Sequence, residues 1–315
     1  MLINSKILIS ACAAFLLHTP LLFSQDTENL VQSKSLPRNL IELRHDNDFF
    51  VFTDRYYTTG SFITYRSYLE NGYFPEAKEQ LGFSLVQQYY TPANIHSGDV
   101  EDFDRPYVGF IGVESGWSLA NAFSFVDFNI LLGLAGPAAG AEEFQNLFHS
   151  NGGIDTPAWV AQINNSFHIN LKSSYTREWK INPNPYSVYL AVKPTIAVGT
   201  KDLYFQQEGI LYFGKRNTLQ QSSAYNQLRN LEKEFYFSFS AGYRYIHYNA
   251  LLEGHPIGDS SVFIVESENH ILLFKFEFVY NSGRNIFKLA QNYNTSETSS
   301  VKAHLTFGIS IARNF

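Results

Sequence analysis

The sequence predicts an all-β protein: a 12-stranded antiparallel transmembrane β-barrel with a short helix in an extracellular loop. Three observations predict it. Apolar and polar residues alternate through a series of strand-length segments. Aromatics make up 16% of the 315 residues, with 28 Phe and 20 Tyr, a strand-forming composition. The chain opens on an export signal, and no later stretch reaches the roughly 18–20 apolar residues that a membrane helix needs. An exported chain of this kind would meet a membrane as a closed sheet.

The export signal spans residues 1–24. Lys6 supplies its positive start, Ile7 to Phe23 is mostly apolar, and Ser24 is a small residue suited to cleavage. Cys12 follows Ile9-Ser10-Ala11 in the manner of a lipoprotein box. Only three apolar residues, Ile7 to Ile9, stand between Lys6 and Ser10, too few for a signal core, so lipidation is not expected. Cys12 is the sequence's only cysteine, so a chain cleaved after Ser24 has neither disulfides nor thiolate metal sites. Residues 25–37 read as a flexible N-terminal segment, and residues 38–315 as the barrel. The net charge of −6 is mild and implies no nucleic acid partner.

The final segment shows the alternation plainly. Leu305, Phe307, Ile309 and Ile311 share one face; His304, Thr306, Gly308 and Ser310 share the other, and the chain ends on Phe315. Similar segments place strands near 38–48, 57–69, 80–90, 107–119, 123–135, 164–180, 186–200, 203–214, 234–247, 267–281, 284–294 and 301–315. An even number of long strands suits an outer-membrane barrel. The connections 120–122, 181–185 and 281–283 are short, whereas 91–106, 136–163 and 248–266 are long. That is the pattern of short periplasmic turns and long outer loops. Two connections depart from it: 201–202 is short outside, and 215–233 is long on the periplasmic side. "SAYNQLRNLEKEF" in the latter predicts a short helix. A soluble sandwich would alternate too, but strand length, loop pattern and the terminal Phe favour the barrel.

Counting strands brings three polar clusters to one rim. The first is "DNDFFVFTDRYYTTG" (Asp46 to Gly60), the second "DRPY" (Asp104 to Tyr107), and the third lies within 136–163. Asp46, Asn47, Asp48 and Thr58 offer oxygens of the type that hard cations take. Strict alternation sends Asn47 outward with Ile41 and Leu43, and Asp48 inward. Joint use of the two therefore needs a bulge or a strand end. On these residues alone a solvated acidic turn is the more economical reading. In "AEEFQNLFHS" a helix gathers Phe144, Leu147 and Phe148 on one side, and Glu142, Gln145 and His149 on another. Gln145 stands one turn from His149 and could orient its ring, and a neutral imidazole can take a proton from water. A surface histidine on a loop helix is the commoner arrangement. "DRPY" reads as a structural rim element, with Arg105 also within reach of anionic headgroups. G-x-S-x-G, phosphate-loop and H-E-x-x-H motifs do not occur.

"NDFFVFTDRYYTTG", "DRPYVGF", "GPAAGAEEFQNLFH" with "PAWVAQINN", "RYIHYNALLEG" and "YNTSETSSVKAHLTFGISI" follow one another in order. Together they resemble the outer-membrane lipid A 3'-O-deacylase family, over nearly all of the chain after the signal. The resemblance implies a twelve-stranded barrel that hydrolyses an ester of lipid A in lipopolysaccharide. It implies a Ca2+ cofactor, the Gram-negative outer membrane with the site at the extracellular leaflet, and outer-membrane lipids as partners. A monomer is expected. Asn47, Asp48, Thr58 and His149 fall on the family's active-site positions. The implied roles are His149 as base, and Asn47, Asp48 and Thr58 around calcium, in a site between the barrel's outer wall and the loop helix. Asn47 and Thr58 would thereby also serve catalysis. The family also uses a Lys after the third strand, and 91–106 has none; His96 and Arg105 are the candidate replacements. A calcium-dependent phospholipase and a non-enzymatic pore or structural barrel, its lumen filled by residues such as Glu42, Arg44 and Arg66, are the alternatives.

Overall fold

The computed structural model describes residues 36–48, 55–181 and 187–315. The expected signal and most of the expected flexible segment lie outside the described residues. The strands run β1 (Asn39–Asn47), β2 (Tyr56–Leu69), β3 (Lys78–Thr91), β4 (Val108–Ala120), β5 (Ser124–Ala135) and β6 (Ser166–Lys180). They continue with β7 (Tyr189–Gly199), β8 (Asp202–Lys215), β9 (Glu234–Asn249), β10 (His270–Asn281), β11 (Asn285–Asn294) and β12 (His304–Asn314). Each pairs antiparallel with its sequence neighbour, and β1 closes on β12 with Leu40 opposite Asn314 and Asn47 opposite Phe307. Closure satisfies every strand edge within the sheet, which hydrocarbon surroundings require.

Alternation explains what faces where. Ile41, Leu43, Ile63, Leu85, Val113 and Leu132 stand exposed on the outer wall, as a lipid-facing belt must. The residues between them turn inward and include many polar groups, beside an apolar cluster of Val86 and Phe110 with Phe62 and Leu131. Glu42 accepts a hydrogen bond from Ser310 and pairs with Lys288 at 3.3 Å. Thr64 bonds Ser84 at 2.9 Å, and Lys172 pairs with Glu114 at 3.1 Å. The polar filling expected for the lumen is therefore present, with Glu42 inside it.

The two ends differ. The long connections 92–107, 136–165, 250–269 and 295–303 share one, hereafter the loop end. It carries α1 (Ala141–Gly152) and the short α2 (Ala250–Glu253). At the other end, 121–123 and 282–284 are tight, but 216–233 is long and folds across the mouth. The helix expected there does not form. The segment makes 3-10 turns at Leu219–Gln221 and Ser223–Tyr225 instead. The reason is local. The Ser222 hydroxyl accepts from the Ala224 N–H, and Asn226 adopts a left-handed φ of 50°, which ends the turn before an α-helix can propagate. Leu228 packs with Leu40, Tyr189, Val279 and Ile286, so this one segment touches strands around the mouth. Arg216 anchors its start. Its guanidinium pairs with buried Glu178 at 2.8 Å and lies 4.6 Å and 4.2 Å from the ring centres of Tyr189 and Tyr212.

Candidate active site

The loop-end rim is built from one cross-strand row on the outer wall. Asn47 of β1 pairs with Thr59 of β2, Thr59 with Tyr89 of β3, and Tyr89 with Gly109 of β4. The Asn47 side-chain amide donates to the Thr59 hydroxyl at 3.1 Å. All four residues continue the parity of the lipid-facing belt, so the row faces outward, as alternation predicted for Asn47.

Alternation lapses where a joint site requires it. β1 ends at Asn47, so Asp48 lies just beyond the ladder. Opposite it, the β2–β3 register jumps from Tyr57↔Tyr90 to Thr59↔Tyr89, leaving Thr58 as the extra residue of a bulge. The Asp48 N–H donates to the Thr58 carbonyl at 3.3 Å, so the strand end and the bulge touch. Asp48 is fully buried and its Oδ2 accepts from the Arg55 N–H at 2.8 Å. Thr58 is buried too, with its hydroxyl 2.8 Å from that of Thr91. Asp46 has a different job on the lumen side, where its Oδ2 accepts from Arg44 at 2.9 Å and from the Tyr57 hydroxyl at 3.1 Å.

The helix α1 lies against the same wall. A Cβ on Gly109 would stand 2.5 Å from the Ala141 Cβ, so only glycine lets the first turn approach β4 this closely. One turn on, the Phe144 ring is 5.9 Å from Tyr89. The helix ends at Gly153, which takes a left-handed φ of 65°, and the Ile154 N–H caps the His149 carbonyl at 2.9 Å. The expected division of faces is present, but the protein buries the polar side. Gln145 and His149 are each 5% exposed, whereas Phe144, Leu147 and Phe148 are 53%, 60% and 62% exposed. A helix packed this way presents its apolar side to the surroundings.

Two contacts hold the buried side. The His149 Nδ1 lies 2.8 Å from the Asp155 carbonyl oxygen. A carbonyl can only accept, so the neutral ring carries its proton on Nδ1 and its lone pair on Nε2. Gln145 Oε1 accepts from the Trp159 indole N–H at 2.9 Å. The Trp159 and Tyr107 rings pack at a tilt of 37° with their centres 5.0 Å apart, and the Tyr107 hydroxyl donates to the Ile95 carbonyl at 2.7 Å. Trp159, Tyr107 and Tyr89 thus fix α1 to the wall. Sequence reasoning quoted "PAWVAQINN" without giving Trp159 this role; its only sequence signal is an aromatic beside the helix that it braces.

Arg105 departs from expectation. Its side chain is 1% exposed, pairs with Glu297 at 3.1 Å and lies 4.5 Å over the Tyr90 ring on the lumen side. Burial lowers its pKa from the usual guanidinium value, against the pull of Glu297. Arg105 meets no headgroup and does not replace a lysine on the outward row; it is the structural rim element that "DRPY" suggested. His96 is exposed. The candidate metal donors at the row are an amide oxygen, one carboxylate and a hydroxyl. This all-oxygen set fits a hard cation in kind. Among the described residues, no cluster of three or more His, Cys, Asp or Glu is suited to a metal, so backbone carbonyls would have to complete the shell.

The comparisons bear on the fold and the family. Among solved structures, LpxR from Salmonella typhimurium matches with a TM-score of 0.75 at 19% identity, covering 88% of this chain and 100% of that one. The beta domain of the Bordetella autotransporter Brka matches with a TM-score of 0.43 at 11% identity, over 89% and 99% of the two chains. The translocator domain of NalP from Neisseria meningitidis gives 0.42 at 6%, over 99% and 98%. Among curated proteins, no sequence relative matches. The family model for the outer membrane protein LpxR matches residues 8–315. With its closed barrel and its ordered rim motifs, this chain belongs to the LpxR family of outer-membrane proteins, the lipid A 3'-O-deacylase family that those motifs resemble.

Proposed function

We propose that this protein is an ester hydrolase that removes acyl chains from lipid A, with its loop end at the outer leaflet. The observation that carries the reading is the outward row Asn47–Thr59–Tyr89, with α1 packed against its Tyr89 end. A lumen enzyme would put these groups inside. Here they face the lipid, so a substrate held in the bilayer reaches them sideways. The helix starts over β4 and passes β3. Eight residues at ~1.5 Å each carry His149 about 12 Å from Ala141, a length comparable with two strand spacings of ~4.8 Å. That travel supports a His149 imidazole over the β1–β2 end of the row.

The chemistry follows from the ring's tautomer. Nε2 of His149 takes a proton from water while the water oxygen bonds to the ester carbonyl carbon. The bond from that carbon to the sugar oxygen then breaks, and the proton passes from His149 to the departing oxygen. The products are a fatty acid and a sugar hydroxyl. The Asp155 carbonyl, bonded to Nδ1, stabilises the ring in its charged form between these steps. Asn47, Asp48 and Thr58 are the residues that would hold calcium; when bound, the ion supplies positive charge for the oxyanion. One chain contributes every residue named, so a monomer suffices.

Mass spectrometry of lipid A from a host expressing the protein tests the proposal. The wild type should remove an acyl chain. His149→Ala and Asp48→Ala should remove none, while keeping the shifted gel mobility of a folded, unheated barrel. An unchanged acyl pattern from the wild type at millimolar calcium overturns the lipid A reading. Loss of chains from phospholipid instead would point to a phospholipase.

A further inference from the structure

The lipid-facing wall carries a polar patch that the proposed chemistry does not use. It lies two residues down the strands from the Asn47–Thr59–Tyr89 row, about 7 Å toward the membrane interior at ~3.4 Å per residue. There His45 of β1 pairs with Ser61 of β2, and Ser61 with Gln87 of β3. All three share the outward parity of Leu43, Ile63 and Leu85, the apolar residues immediately beneath them. His45 is exposed, Ser61 and Gln87 are partly so, and the His45 Nδ1 lies 3.1 Å from the Ser61 hydroxyl.

This patch is not part of a general polar girdle. Followed across the sheet, the same row is Ile309, His45, Ser61, Gln87, Ile111 and Leu134. The row is apolar on both flanks. Leu134 stands next to the loop-end terminus of β5 and is still apolar. The polar residues occur on β1, β2 and β3, beneath the candidate site. Imidazole, hydroxyl and amide groups facing hydrocarbon cost free energy unless something hydrogen-bonds them. The His45–Ser61 contact uses one nitrogen of a ring that has two.

We infer that His45, Ser61 and Gln87 form a hydrogen-bonding ledge that receives an oxygen- or nitrogen-bearing group of the substrate lipid, near the carboxyl end of an acyl chain. The inference rests on the hydrolase reading for the position of the ester, which the Asn47 row would hold. From there an acyl chain descends over the ledge. A plain alkyl chain offers the ledge nothing. A hydroxyl or ester on that chain, or an amide on the chain beside it, offers the donors and acceptors that it lacks. The ledge therefore selects substituted acyl chains over plain ones.

Binding decides this independently of catalysis. Three synthetic glucosamine lipids would be compared by native mass spectrometry: one with a plain O-acyl chain, one with a hydroxyl on carbon 3 of that chain, and one with the plain chain beside an amide-linked chain. The double variant His45→Leu/Ser61→Ala keeps the wall apolar and should fold, which gel mobility checks. The wild type should prefer a substituted lipid, and the variant should lose about tenfold in affinity for it, the order of one net hydrogen bond. Its affinity for the plain lipid should not change. The lipid that shows the loss identifies whether the group sits on the cleaved chain or on its neighbour. Gln87→Leu should lower the same preference, and Ile309→Ala should leave it intact. Equal affinities of the wild type for all three lipids, or a preference that survives the double variant, overturns the ledge. Hydrolysis of the same lipids is read separately. If the wild type cleaves none of them, the hydrolase reading fails while the binding result still decides the ledge.

Discussion

The two ends of the barrel use polar side chains in opposite ways. At the turn end, Arg216 and Glu178 are buried, paired with each other and enclosed by Tyr189, Tyr212 and Tyr225. Their partners are protein, and they close the mouth. At the loop end, Asn47 and Thr59, and beneath them His45 and Ser61, stand on the outside of the sheet, on a wall that is otherwise apolar where it faces lipid. A polar network that is satisfied and enclosed holds a structure together. Polar groups set on a lipid-facing wall are not enclosed in this way, and the proposed function assigns them to a lipid. The comparison separates residues whose loss should cost stability from those whose loss should cost activity.

The sharpest break of that contrast is at His149. Replacing it with Ala should lower lipid A deacylation by about 10²–10⁴-fold, the usual worth of a positioned base. It should leave the unfolding midpoint in detergent nearly unchanged, because the ring is held by a loop contact outside the sheet. A variant that unfolds instead of losing activity would make His149 structural.

The mirror experiment is at the other end. Arg216→Ala strands Glu178 in a buried site where, among the described residues, the Tyr225 hydroxyl 2.8 Å away remains to hydrogen-bond it. Breaking a buried pair in this way costs about 3–5 kcal/mol. Denaturant unfolding should show a loss of that order, while the folded fraction keeps its deacylation rate. The same segment bears on the pore alternative. With 216–233 folded across the mouth, the wild type should pass no steady current in planar bilayers. Steady single-channel current from the wild type would instead favour a channel.

A third break targets the fit of α1 to the wall. Gly109→Val places carbon where the Ala141 Cβ now stands 2.5 Å away, so the helix must lift. A displacement of about 1 Å in a catalytic group can cost on the order of 100-fold in rate. Deacylation should fall by about that much with the barrel still folded. Unchanged activity would mean that His149 does not depend on the β4 contact.

Much of this was legible in the sequence because strands in a membrane barrel obey one rule, alternation, over ten or more residues. β10 was expected at 267–281 and spans His270–Asn281; β12 was expected at 301–315 and spans His304–Asn314. The misses share a cause. Residues 301–303 continue the alternation but carry no ladder, since pairing partners are a tertiary fact. Ser222 and Asn226 overrode the helical pattern of 223–235 through local hydrogen bonding and a left-handed turn. The faces of α1 were readable, but which of them meets protein was not. The usual inference that the apolar face is buried reverses when the surroundings are lipid. Arg105 looked available because its charge suggests the surface, and only the fold shows Glu297 and Tyr90 waiting inside. The His45–Ser61–Gln87 ledge was invisible, because it exists only once the register of three strands is known.

The smallest effect is expected at Trp159, where it is most diagnostic of how the helix is held. Trp159→Phe keeps the ring against Tyr107 but removes the indole N–H that Gln145 accepts at 2.9 Å. A buried hydrogen bond of this kind is worth about 1 kcal/mol net, or roughly fivefold in rate if all of it serves to hold α1 in place. Gln145→Leu removes the other partner and leaves the indole N–H without its acceptor, which costs more than removing both. Combining the two substitutions should therefore recover part of the loss in Gln145→Leu, with deacylation rates for the wild type, both single variants and the double variant forming a cycle. A non-additive result places the Trp159–Gln145 contact in the support of His149. Strictly additive losses would mean that the two side chains act on the site separately, and that the Asp155 carbonyl holds the imidazole without help from the indole.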